Sequence, residues 1–143
     1  MLVELRKTYF VLLVPVVVGL ILIYLAKTYK ILTLDQIAFL NIVAALTFIL
    51  AVVFAIGLPV FIRSLFAHKM RERTSVTRKE LIKFERTLII ISLVTPYLTL
   101  IGYLLEFPRF YFAGTVLTAL YALYFYYPSE KRIKFDRRIF RVK

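Results

Sequence analysis

The stretch Arg63-Ser-Leu-Phe-Ala-His-Lys-Met-Arg-Glu-Arg-Thr-Ser-Val-Thr-Arg-Lys-Glu-Leu-Ile-Lys-Phe-Glu-Arg86 decides how this chain folds. It carries eight Lys/Arg and three Glu, and a long apolar region lies on each side of it. Charge at that density is costly inside hydrocarbon. The stretch therefore divides the chain into two hydrophobic halves, and its cations orient them in a membrane.

Each half breaks again into two apolar runs. They cover residues 9–26 and 36–62 before the charged hinge, and 87–105 and 110–127 after it. A helix crossing a bilayer needs about 20 apolar residues. Of the 143 residues, 62% are hydrophobic, against roughly 45–50% in soluble chains. A chain this small cannot bury so much apolar surface in water. The expected fold is all-α: a polytopic membrane protein whose single domain, 1–143, holds four transmembrane helices as two hairpins. A cytoplasmic helical extension, the basic hinge 63–86, separates spans 2 and 3, and a basic cytoplasmic tail follows at 128–143.

Local signals refine this plan. The head before Tyr9 resembles a secretory signal, but Tyr24-Leu-Ala-Lys27 lacks the small residues of a cleavage site, so a retained first helix is expected. Thr33-Leu-Asp-Gln36 fits a capping box, with Leu32 and Ile37 at staple positions, and a second helix should begin near Leu34. The run it opens exceeds a perpendicular span, so it must tilt or protrude, and Pro59 marks a kink position near its end. Ile62, Leu65, Phe66 and Met70 keep helical spacing beyond the membrane. Thr77-Arg-Lys-Glu80 is a second capping box, followed by Leu81, Phe84 and Leu88 on one face. The hinge thus reads as a helical hairpin broken at Thr74–Thr77. Pro96 interrupts the third run, and Pro108 turns Phe107 away from helix to make a tight turn at Glu106–Arg109. The two halves share a plan but no residue-level repeat.

Topology follows from the cations. Head, hinge and tail hold two, eight and seven Lys/Arg, whereas the opposite connectors hold Lys27, Lys30 and Arg109. The positive-inside rule puts head, hinge and tail in the cytoplasm. Aromatic residues at both ends of the fourth run (Phe107, Phe110, Tyr111 and Phe112; Tyr124 to Tyr127) suit the two interfaces. A plasma (cell inner) membrane, most simply prokaryotic, is the expected location. The net charge of +12 would suggest nucleic acid in a soluble chain. Here topology accounts for it, no basic-aromatic module is present, and no nucleic-acid partner is expected.

Candidate functional residues are few. Ser92, Thr95, Thr99, Tyr103 and Glu106 recur at three- and four-residue steps along the third run. Lipid cannot satisfy hydroxyls, so this face should look into protein, as a packing seam or as the wall of a polar pathway. Asn41 could bond across to it from the second run, whose Ala44, Thr47, Ala51 and Ala55 form a small-residue face. Gly114, Thr118 and Ala122 do the same on the fourth. Glu106 should pair with Arg109 at the outer surface. His68 should be a solvated hinge residue. Lys69, Arg71, Arg73, Arg78, Lys79, Lys131, Arg132, Arg137 and Arg138 are the candidate contacts for anionic lipid head groups or a partner protein. In the tail, Ile133, Phe135, Ile139, Phe140 and Val142 alternate with cations in a spacing that suits an amphipathic segment, helix or strand.

No Cys and a single His leave little for transition-metal chemistry, and no cofactor is expected. The size and four-span layout are similar to those of small multidrug transporters, but no Glu lies inside the first run and no family is assigned. The leading expectation is a non-enzymatic subunit or assembly factor of a membrane complex, in contact with anionic lipids, other subunits or further copies of itself. A small oligomeric transporter or channel is the alternative, and a lipid-modifying enzyme the second alternative.

Overall fold

The computed structural model describes residues 2–29 and 39–142. The first capping box, Thr33–Gln36, and the start expected near Leu34 lie outside them. Among the described residues every regular element is a helix: α1 Leu2–Thr28, α2 Leu40–Val52, α3 Leu58–Met70, α4 Arg78–Ser92, α5 Val94–Leu104, α6 Arg109–Phe125 and α7 Glu130–Ile139. An isolated bridge joins Val76 to Val142.

Among the described residues, three rods are long and apolar enough to cross a membrane: Leu2–Thr28, Leu40–Met70 and Arg78–Leu104. The apolar part of the third begins at Thr87, after the charged turns Arg78–Arg86. Apolar α6 has 17 residues. The Leu40–Met70 rod has 31 residues and rises about 46 Å, well beyond a hydrocarbon core of about 30 Å. A rod of this length must tilt or protrude.

The prolines explain where the rods change register. Pro59 has no N–H for the carbonyl of Ala55. A π-helical turn at Val53–Gly57 lies just before it, with the Leu58 N–H reaching back to Val53. Pro96 likewise leaves the Ser92 carbonyl without a helical donor, and the chain breaks at Leu93, where ψ is 0°. Glu106 closes α5 in the left-handed region, φ 56°. The Phe107 N–H then donates to the Gly102 carbonyl at 3.1 Å, the bond of a Schellman motif. α7 closes the same way: Arg141 has φ 50°, and Val142 donates to Arg137 at 3.0 Å.

The capping box at Thr77 forms in full, with the Glu80 amide donating to the Thr77 hydroxyl and the Thr77 amide donating to the Glu80 carboxylate. These bonds to Thr77, followed by one from Arg73, hold the Glu80 carboxyl below its ordinary value. The tail question resolves as helix: Ser129 caps α7 by accepting from the Arg132 amide.

Packing is divided between two centres. α6 lies against α5 and α2, and α1 against α4 and α5. Gly114 admits the ring of Phe48, which would lie 2.6 Å from a Cβ there. One buried cluster joins Leu5 and Tyr9 of α1 to Ile89, Leu93 and Ile133. The other gathers Met70, Val76, Leu81, Phe84, Leu88, Tyr126 and Phe140. In it Phe66 stacks on Phe84 at 4.0 Å, and Phe140 meets Phe66 edge-on at 4.9 Å. Hinge and tail are thus folded onto each other as one cap at the end of the helices.

Candidate functional site

Ser92, Thr95 and Thr99 are buried together, while Tyr103 is half-buried. The Thr95 hydroxyl donates to the Ala51 carbonyl of α2 at 3.3 Å. The Thr99 hydroxyl donates to the Thr115 carbonyl of α6 at 3.4 Å and to Thr95 in its own helix at 3.3 Å. These hydroxyls tie three helices through backbone carbonyls. Asn41 and Glu106 lie exposed. Glu106 faces Lys27 of α1 at 3.4 Å instead of Arg109, because its left-handed backbone swings it off the axis of α5 toward the last turn of α1. Cysteines at 92, 95 and 99 (Ser92→Cys, Thr95→Cys, Thr99→Cys) should resist a water-soluble thiol reagent; strong labelling would make this face a wetted path.

Of the nine candidate lipid or partner contacts, Lys69, Arg71, Arg73, Arg78, Lys79, Lys131, Arg137 and Arg138 are exposed on the cap, as is His68. Arg132 turns inward. Its Nη2 lies 2.7 Å from Oε2 of Glu85, whose side chain is fully buried. Its Nε is 4.0 Å from Asp136, which is also buried and is held on its other side by Arg63 of α3. The guanidinium of Arg132 sits 5.2 Å from the centre of the Tyr126 ring. Four charged side chains from α3, α4 and α7 therefore meet where the hinge joins the tail. The pairing is incomplete: Glu85 Oε1, Asp136 Oδ2 and Arg132 Nε and Nη1 are buried without a hydrogen-bond partner among the described residues.

Glu85 precedes the apolar run that starts at Thr87 and lies outside the membrane-spanning segment. Burial, first of all, and the Asp136 carboxyl beside it push the Glu85 carboxyl above the ordinary carboxylate range, against the opposing pull of Arg132. The folded chain therefore keeps a proton that the unfolded chain releases at its ordinary pKa of about 4.3. Stability should fall as the pH rises above that value, and level off above the raised pKa. Thermal unfolding in detergent across pH 4–9 should show this slope, and Glu85→Gln should flatten it. An unchanged slope in that variant would assign the effect to another group.

A cavity of about 760 Å³ opens beside the cluster; its lining combines Arg63, Arg132, Asp136 and Ser129 with Leu120, Leu123 and aromatic side chains that include Tyr9 and Tyr127. A second groove, about 480 Å³ and almost wholly apolar, runs between α1, α5 and α6 and shares Leu120 and Leu123 with the first.

Sequence reasoning missed Glu85, Asp136 and Arg63 as a unit. A signal existed: Glu85 sits beside Phe84 on the Leu81–Leu88 face, and Asp136 falls between Ile133 and Phe140 at helical spacing. A carboxylate on an apolar face asks for a buried partner. Compared with known protein families, curated proteins and solved structures, the chain matches none.

Proposed function

We propose that this protein is a non-enzymatic subunit or assembly factor of a plasma-membrane complex, spanning the bilayer four times with both termini in the cytoplasm. The observation that carries the reading is the folded cap. Twelve of its Lys/Arg side chains are exposed, whereas Glu85, Asp136 and an apolar core that includes Met70, Phe84 and Phe140 are buried within it. A loop that served orientation alone would need the cations but no such core. A rigid basic surface suits an acidic partner protein or anionic head groups, each cation near an anionic surface contributing about 1 kcal/mol. The small-residue face Ala44, Thr47, Ala51 and Ala55 is already buried among the chain's own helices, and it packs them together. The fourth span is α6, which the aromatic residues at its two ends would anchor at the interfaces.

Purification from native membranes in mild detergent tests the reading, with a stoichiometric partner as the expected result. That partner should be lost when Lys131, Arg137 and Arg138 are changed to Gln. A lone, monodisperse chain that moves solutes across liposomes would overturn it. For threading, a reporter fused at Ser75 should be cytoplasmic; a reporter outside the cell would reverse the topology.

A further inference from the structure

We propose that the paired cavities form one binding site for a single phospholipid, with Arg63 and Arg132 meeting the phosphate and the groove between α1, α5 and α6 taking an acyl chain. The inference rests on the membrane reading above but not on the exposed basic face, since neither cavity is built from that face.

Three observations converge. First, the two hollows adjoin: Leu120 and Leu123 line both. Second, their chemistry divides as an amphiphile does. The smaller groove offers almost no polar surface, whereas the lining of the larger includes two guanidinium groups, a serine hydroxyl and the Asp136 carboxylate that Arg63 pairs. Third, the arginines have capacity to spare. Arg63 spends one nitrogen on Asp136 and keeps a third of its side chain exposed. Arg132 keeps Nε and Nη1 without a hydrogen-bond partner among the described residues, both covered in this conformation, so Arg63 presents the open guanidinium edge.

Charge supports an anion. With the Glu85 proton retained, two guanidinium groups face one carboxylate, and the excess is positive. Guanidinium groups bind phosphate through paired N–H donors, and the flanking Tyr127 ring offers the amphipathic surface typical of head-group depth. The low polarity around Leu120 selects for a chain, so a soluble phosphate alone would leave half the site empty.

The test uses the whole protein in detergent, stripped of lipid, then titrated with dioleoyl-phosphatidylglycerol, dioleoylglycerol or glycerol phosphate and read by native mass spectrometry. One phosphatidylglycerol per chain should be retained, at least tenfold more tightly than dioleoylglycerol, and a tenfold excess of glycerol phosphate should not displace it. Leu120→Trp, at an exposed position of the groove, should weaken retention at least fivefold while the lipid-free melting temperature stays unchanged. Arg63→Gln should remove the preference for phosphatidylglycerol over dioleoylglycerol. Equal retention of both lipids by the unaltered protein, indifference to Leu120→Trp, or displacement by glycerol phosphate would each overturn the proposal. The Lys131, Arg137 and Arg138 variant that should lose a protein partner should still hold its lipid, so failure of one reading is separable from failure of the other.

Discussion

Above the raised Glu85 pKa of about 8, where its carboxylate is ionised, Arg132→Met is expected to destabilise the folded protein by about 3–5 kcal/mol, the range for breaking a buried ion pair by removing one partner. The reason is the environment of what remains. Glu85 has no exposed surface, and Asp136 is equally buried. Without the guanidinium, Glu85 loses its 2.7 Å contact and must stay fully protonated or be desolvated alone. Asp136 keeps Arg63, so the damage should centre on α4. Replacing both partners, as in Glu85→Leu with Arg132→Met, should recover much of the loss, because an apolar pair leaves no orphaned charge. Chemical denaturation in detergent micelles reads both. A single variant as stable as the parent would mean that water already reaches Glu85.

Phe84→Ala should cost a similar amount, about 3–5 kcal/mol for a buried aromatic truncated to alanine. Phe84 is nearly buried, stacks on Phe66 at 4.0 Å and meets Phe140 at 5.8 Å. It is the point where α3, α4 and the end of the tail touch. The charged, exposed side chains around Phe84 place this end of the structure at the polar edge of the apolar rods, where burial of an aromatic carries more of the hydrophobic driving force than between helices in lipid. The loss should be local in its readout: the segment 128–142 should become sensitive to protease while the spans stay protected. Protection of that segment in Phe84→Ala would show that the ion cluster alone holds the tail.

These two expectations concern one junction, and that junction was the least legible part of the chain. The charge of residues 63–86 was plain, and the Thr77 box and the Leu81, Phe84, Leu88 spacing announced a helix that the structure contains. Pro96 and the Glu106–Arg109 turn also fell where local sterics put them. What was not legible was the fate of Arg132. Its neighbours Lys131, Arg137 and Arg138 are exposed, and by composition it belongs with them. It faces inward because Ser129 starts α7 and so puts Arg132 and Asp136 on adjoining turns. The seam showed the same limit. Helical spacing put Ser92, Thr95 and Thr99 on one face, and they are buried together. Spacing could not say that Asn41, in another helix, would lie exposed.

By itself the sequence determined the apolar runs, the Thr77 helix start and the breaks at Pro96 and Glu106–Arg109, because capping, proline sterics and hydropathy act over a few neighbouring residues. It left the tail open between helix and strand. Only the tertiary structure decided that hinge and tail fold onto each other and that Glu85 and Asp136 share two arginines between them. It also set the cavity beside those arginines next to an apolar groove, with Leu120 and Leu123 lining both. Glu85 and Arg132 are 47 residues apart, and Arg63 and Asp136 are 73 apart. Nothing local couples them. Their pairing follows from burial: carboxylates brought into the cap by apolar neighbours need cations, and the packing of α3, α4 and α7 determines which cations are within reach.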